Sequence, residues 1–240
     1  MINQCLMQLS PETGMSLYNL LGNLQWPAYV AVLLWATAKY RFSAKNKIVL
    51  WVAFVVARFW SADLVPVLSR ITGGIIPGIN LGVAFGLFVM IVAAIAYFFQ
   101  VPVTFSLDVT IPAFILGRGL AITGCIFAGC CYGFPVSWGI YSSAVGVTTF
   151  PTVILDVMAS CSIVLYLILL SRKQNYCGNG IVTAKGMILF GLLRVLIDVL
   201  RDNQKLLLLF TFEGFCGIAY AIAGYLILNS ISKRGEANVI

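Results

Sequence analysis

Hydrophobic positions fall into seven long runs separated by short polar stretches, at about 17–38, 48–68, 76–99, 106–129, 151–171, 181–201 and 206–228. Each holds roughly 20 residues, which at about 1.5 Å per residue is the length a helix needs to cross a hydrocarbon core about 30 Å thick. A lipid-exposed chain must satisfy its backbone polar groups internally, so apolar runs of this length read as helices. The pattern predicts an all-α, polytopic membrane protein with seven transmembrane helices, organised as a single integral membrane domain over residues 1–240. No repeat of fixed period divides the chain, and the two halves do not read as inverted copies.

The polar punctuation orients the helices. Lys39, Arg41, Lys45 and Lys47 follow the first run, Arg172 and Lys173 the fifth, and Lys233 and Arg234 the last, whereas 69–75 and 130–150 are nearly free of basic residues. Cytoplasmic loops carry the excess of Lys and Arg, so the N-terminus is expected outside and the C-terminus in the cytoplasm. That placement accounts for the net charge of +7 without invoking nucleic acid. Met1 to Met15 lack the charged start and long apolar core of a cleavable signal, leaving the first span as the insertion signal. The segment from Cys130 to Phe150, with Gly133, Pro135, Trp138, Gly139 and Gly146, is expected to form turns or short interfacial pieces.

Composition narrows the chemistry. The chain is 61% hydrophobic and 10% charged, with a mean hydropathy of +0.99, against about a quarter charged for an ordinary soluble domain. It has no histidine, which excludes His-based triads, HExxH sites and His-rich metal sites. No GxxxxGK[ST] run is present, so nucleotide-driven chemistry is not expected.

The informative residues are those a bilayer penalises: Arg58, Asp63, Arg118, Asp156, Arg194, Asp198, Arg201 and Glu213. A charge in mid-span costs about 2.5–3.5 kcal/mol on insertion scales, so such residues should pair or line a wet cavity inside the bundle. Arg194, Asp198 and Arg201, spaced i, i+4, i+7, share one helix face, where the carboxylate could hold either guanidinium; Arg201 could also snorkel to the interface. Arg58, Arg118 and Arg194 sit on three different spans, and the guanidinium fork matches phosphate bidentately. An anionic phospholipid headgroup is the expected ligand.

The fourth run ends in Gly117-Arg118-Gly119, Gly124-Cys125 and Ala128-Gly129-Cys130-Cys131-Tyr132-Gly133. Small residues allow close helix packing, and near a helix end they free amides to face a ligand, so Gly124 and Gly129 are candidate lipid-binding positions. Cys125, Cys130 and Cys131 leave three readings: packing, an external disulfide, or a metal or redox centre. The spacing matches no zinc signature, so no metal and no cofactor are expected. Cys5, Cys161, Cys177 and Cys216 read as inert.

Residues 48–228 resemble the bacterial phosphatidylglycerol prolipoprotein diacylglyceryl transferase family. Asp108-xxx-Pro112 followed by Gly117, Gly124, Gly129 and Gly133 is similar to the family's signature span, ending here in GCxxAGCCYG. Phe150-Pro151-Thr152 through Asp156 looks like its His-Pro-Ser-Gln-Leu-Tyr-Glu stretch. Arg194-xxx-Asp198-xx-Arg201 is similar to its Arg-xxx-Glu-xx-Arg element, and Ala57-Arg58-Phe59 to its Gly-Arg. The resemblance implies a seven-helix enzyme that moves a diacylglyceryl group from phosphatidylglycerol to the lipobox cysteine thiol of a prolipoprotein, releasing glycerol phosphate.

On that resemblance the expected catalytic residues are Arg194, Arg118 and Asp156, with Arg58, Arg194, Arg201, Asp198, Gly124 and Gly129 at the lipid phosphate. Three positions depart from the family pattern. Ile122 stands at the signature arginine, Val153 at the glutamine, and the third-span histidine has no counterpart, Gly82 and Asn80 being nearest. Arg118 lies one helical turn before Ile122 on the same face and could replace the missing guanidinium. Two alternatives stay open: a degenerate protein that binds phospholipid or lipoprotein precursor without turnover, and a transferase or transporter with another acceptor or anionic solute.

Overall fold

In the computed structural model, residues 10–40, 43–73, 81–172, 178–201 and 210–237 are described. Their helices are α1 (Pro11–Gly22), α2 (Gln25–Lys39), α3 (Ala44–Ile71), α4 (Leu81–Phe98), α5 (Val103–Ala121), α6 (Cys125–Ala128), α7 (Thr152–Arg172), α8 (Ile181–Leu200) and α9 (Phe212–Ala237), with a 3-10 turn, Ile122–Gly124, between α5 and α6. The chain is a multi-pass, all-α membrane protein. Among the described residues, five helical stretches are long and apolar enough to cross a bilayer: Ala44–Ile71, Leu81–Phe98, Val103–Ala128, Thr152–Arg172 and Phe212–Lys233. Helix α2 is short, at 15 residues, and α8 carries Lys185, Arg194 and Asp198 within its 20.

The structure redraws two expected elements. The run at 17–38 is broken into α1 and α2, because Gly22 and Asn23 end the first helix and the Asn23 amide bonds back to the Asn19 carbonyl at 3.1 Å. Ser10 and Pro11 start α1 ahead of the apolar run, with Ser10 Oγ accepting from the Thr13 amide. The loop at 130–150 is a β-hairpin, β1 (Pro135–Ser142) and β2 (Val147–Thr149), antiparallel, with Ser142 opposite Val147 and Ile140 opposite Thr149. Gly146, at φ 70°, supplies the left-handed residue its turn requires. Arg41, Lys173, Cys5, Cys177, Asn80 and the starts of the runs at 76 and 206 lie outside the described residues.

Helix α5 is the hub: it packs against α2, α4, α7 and α8. Phe85, Phe88, Phe114 and Phe190 meet at its centre with ring centroids 4.7–5.2 Å apart in successive pairs, the spacing at which aromatic pairs attract. Helices α8 and α9 approach closely because glycine faces glycine. A Cβ on Gly217 would stand 2.7 Å from the Gly191 carbonyl, and one on Gly224 would stand 2.5 Å from that of Ala184. Small residues at such crossings let backbones touch where lipid offers no hydrophobic drive for association.

Asp108 fixes the start of α8. Gly180, at φ 85°, offers no side chain to cap the helix, and the buried Asp108 carboxylate takes over. It accepts from the amides of Gly178 (2.7 Å), Gly180 (3.0 Å) and Thr183 (2.7 Å) and from the Thr183 hydroxyl (2.6 Å). A carboxylate at a helix N-terminus meets both the orphan amides and the positive end of the dipole. The opposite end of α8 is tied to the hairpin: the Phe134 amide donates to the Leu200 carbonyl, and Gly133 bridges to Arg201.

Candidate functional site: a buried ring of charge beside a thiol cluster

Four charged side chains from three helices and one helix end close a ring. Arg194 on α8, only 1% exposed, pairs with Asp156 near the start of α7 and with Glu213 at the start of α9, the latter at 3.3 Å. Arg201, where α8 ends, meets Asp156 at 3.9 Å and Glu213 at 3.6 Å. Two cations and two anions thus alternate, which answers the insertion cost that each would carry alone. Buried within the ring, Asp156 Oδ2 and Arg194 Nε have no hydrogen-bond partner among the described residues.

Asp198 takes a part the helix spacing did not suggest. Its carboxylate accepts from the Thr211 amide at 2.7 Å and the Thr211 hydroxyl at 2.6 Å, and Thr211 Oγ1 in turn accepts from the Glu213 amide at 3.1 Å. Asp198 therefore positions the first turn of α9, and with it Glu213. Asp156 and Glu213, which pair with Arg194 and Arg201, come from helices distant in sequence. Gly214 permits this, since any Cβ there would run into Asp198.

Arg118, near the end of α5, is half-buried, and among the described residues it has no ion-pair or hydrogen-bond partner. Its charge reaches Asp156 in the ring and Cys131 in the adjoining turn. Arg58 is separately anchored. It donates to Tyr29 Oη at 2.9 Å and to Gln25 Oε1 at 2.6 Å, and Tyr29 also donates to Gln25 at 3.0 Å. Tyr29 lies against Gly117, where a Cβ would collide with its ring, so the anchored Arg58 sits beside the helix that carries Arg118. Asp63, expected inside the bundle with the other charges, is exposed on α3.

Gly124 and Gly129 are occupied by protein. A Cβ on Gly124 would stand 2.6 Å from the Tyr18 carbonyl of α1, and one on Gly129 would strike Ser143. Both glycines therefore serve close backbone packing, Gly129 as the left-handed end of α6 at φ 66°. Ile122, where the resemblance leads one to expect an arginine, is 1% exposed and packs with Cys125 and Val153.

The cysteines gather. The sulfurs of Cys125, Cys130 and Cys131 all lie within 4.8 Å of one another, and all three thiols are free. Hydrogen bonds from the Cys125 and Cys130 thiols, reinforced by the charges of Arg201 and Arg118, hold the Cys131 thiol well below the ordinary range, against the opposing effect of burial. The sequence missed two participants. Glu213 was visible only as a costly charge, and the thiol cluster had no recognisable ligand spacing.

A family model described as prolipoprotein diacylglyceryl transferase matches residues 30–230. The chain is 28% identical over 137 residues to phosphatidylglycerol–prolipoprotein diacylglyceryl transferase 2 of Clostridium perfringens (strain 13 / Type A), a match covering 54% of this chain and 53% of that protein. It is also 28% identical over 106 residues to the phosphatidylglycerol–prolipoprotein diacylglyceryl transferase of Clostridium tetani (strain Massachusetts / E88), covering 41% of this chain and 42% of that one. The chain thus spans about half the length of the curated relatives it matches. With the family model spanning most of its length and the ring of charge on the matched helices, this chain belongs to the prolipoprotein diacylglyceryl transferase family.

Proposed function

We propose that this protein transfers a diacylglyceryl group from phosphatidylglycerol, or a closely similar anionic phospholipid, to the cysteine thiol of a prolipoprotein in the bacterial cytoplasmic membrane. The observation that carries the reading is Arg118, a half-buried guanidinium with no hydrogen-bond or ion-pair partner among the described residues, beside the balanced ring of Arg194, Asp156, Arg201 and Glu213. A cation left over next to a neutralised network is an anion site, and the departing group of this reaction is a phosphate monoester. The ring itself holds Arg194 and Arg201 in place, so phosphate oxygens meet preset donors without reorganisation. Arg58, tied to Gln25 and Tyr29, assists from the α3 side.

The reading places seven spans across the bilayer as one domain, with the N-terminus and the hairpin outside and the C-terminus in the cytoplasm. Lys39 and Arg172 support that orientation. They gather around Trp35 at the end of the bundle away from the hairpin, with the Lys39 ammonium 5.2 Å and the Arg172 guanidinium 5.9 Å from its ring, as basic and aromatic residues do at a cytoplasmic interface.

A second reading, binding of phospholipid or precursor without turnover, draws on the buried Ile122 at the signature position and on the absence of histidine. The deciding experiment is transfer of labelled diacylglyceryl from phosphatidylglycerol to a lipobox peptide by purified protein in nanodiscs, beside Arg118→Ala and Arg194→Ala. Transfer lost in both variants supports the enzyme. Wild-type protein that retains phosphatidylglycerol but transfers nothing supports the binding protein.

A further inference from the structure

The transfer chemistry needs an ionised acceptor thiol, and the chain holds no histidine to take the proton. The carboxylates of the ring and its neighbour are already engaged, Asp156 and Glu213 with arginines and Asp198 with Thr211. Another way to ionise a thiol is to bind it to a metal, since a coordinated thiol loses its proton outright.

The thiol cluster has the form such a site requires. Three sulfurs stand within 4.8 Å of one another, and a zinc ion at about 2.3 Å from each of three tetrahedrally placed sulfurs would set them about 3.8 Å apart. The main chain is bent to bring them together. Gly129 at φ 66° and Cys131 at φ 58° are both left-handed, the second at a steric cost because it is not glycine. The turn is held from outside, by Thr152 Oγ1 donating to the Cys131 carbonyl at 2.7 Å and Ser142 Oγ donating to that of Gly129 at 2.6 Å. Strained backbone that persists because its surroundings hold it concentrates at functional sites. An open hollow between the turn and the hairpin, walled by Tyr132, Tyr141 and Phe150, reaches all three cysteines.

We propose that Cys125, Cys130 and Cys131 form a three-thiolate zinc site whose fourth, open position takes the cysteine thiol of the acceptor peptide. The inference rests on the transferase reading above and names how the acceptor is activated. Catalytic zinc characteristically keeps one coordination position open. Three thiolates with one divalent ion leave a net charge of −1, offset by the neighbouring Arg201 and Arg118. On coordination the acceptor S–H proton passes to water. The sulfur then attacks the glyceryl carbon that bears the phosphate ester. The S–C bond forms, the C–O bond breaks with its electron pair going to the phosphate oxygen, and zinc releases the neutral thioether while glycerol phosphate departs against Arg118. No oxidant or reductant takes part.

The test uses full-length protein in nanodiscs, stripped with a chelator and titrated with Co(II) as a spectroscopic substitute for zinc, with zinc content measured in parallel. The expected result is about one metal per chain, with tetrahedral and sulfur-to-metal absorption bands. Cys130→Ser and Cys131→Ser should weaken uptake by about tenfold or more, and Cys161→Ser should not. The sulfur band should grow when a cysteine lipobox peptide is added and stay constant with the serine peptide. The proposal is overturned if wild-type protein takes up no metal, if a Cys125–Cys130 or Cys125–Cys131 disulfide is found in the native chain, or if a bound cysteine peptide leaves the spectrum unchanged. Transfer at the full rate by stripped protein removes the zinc role and leaves the transferase reading intact. Metal uptake with the peptide response but without transfer does the reverse.

Discussion

Replacing Asp156 by Asn tests the ring of charge most directly. The substitution keeps shape and removes one negative charge from a network of two arginines and two carboxylates, leaving Arg194, 1% exposed, to share Glu213 with Arg201. Removing one partner of a buried pair costs about 3–5 kcal/mol, because the other charge stays buried and uncompensated. Glu213 remains 3.3 Å from Arg194, which puts the expected loss at the lower end, about 3 kcal/mol. At roughly 2–4 °C per kcal/mol for a chain of this size, the midpoint of thermal unfolding in detergent should fall by about 6–12 °C. Glu213→Gln removes a carboxylate that is 18% exposed and more loosely paired, and should cost about 1–2 kcal/mol. The decisive construction is the double variant Asp156→Asn with Arg194→Met, which deletes both members and should recover part of the loss. A double variant whose loss equals the sum of the two single losses would refute the coupling and the reasoning built on it.

Arg118→Ala should lower transfer by about 10–100-fold, the worth of a charge-assisted contact to phosphate, with an almost unchanged unfolding midpoint because none of the described residues hydrogen-bonds or ion-pairs with it. A midpoint shift as large as that of Asp156→Asn would mark Arg118 as structural instead. Asp108→Asn should destabilise by about 2–3 kcal/mol, since the amide turns a donor toward amides that now donate to a carboxylate; hydrogen exchange at the start of α8 would localise the loss. Gly191→Val should separate α8 from α9 and expose both to protease, a result absent if the two helices touch elsewhere. In metal-free protein at about pH 6, iodoacetamide should label Cys131 ahead of Cys130. The Cys131 pKa is depressed, so its thiolate persists as pH falls, whereas Cys130, despite the Cys125 hydrogen bond that favours its thiolate, is pushed up to about 11 by the Cys131 thiol and by burial. Equal labelling of the two at that pH would contradict the sulfur arrangement.

The membrane class, the apolar helical runs at 48–68, 106–129, 151–171 and 181–201 and the residues a bilayer penalises were legible in the sequence, because hydrophobicity along a helix is a local property read at a fixed rise per residue. So was the need for Arg194 and Asp156 to find partners, since an isolated charge in hydrocarbon is too costly to leave alone. Which partner each finds is a matter of helix packing. Asp198 shares a helix face with Arg194 and Arg201, yet its carboxylate fastens Thr211, while the counter-charges arrive from Asp156 and Glu213, 38 and 19 residues away from Arg194. The cap of α8 comes likewise from Asp108, 72 residues before the Gly180 amide it accepts from. The hairpin was hidden because its pairing is bonded across a turn and has weak alternation of its own. The thiol cluster was hidden because two left-handed residues, Gly129 and Cys131, fold the chain back on itself. Spacing along the sequence records which chemistry is present; only the crossing of helices and the sign of a few backbone angles decide which groups meet.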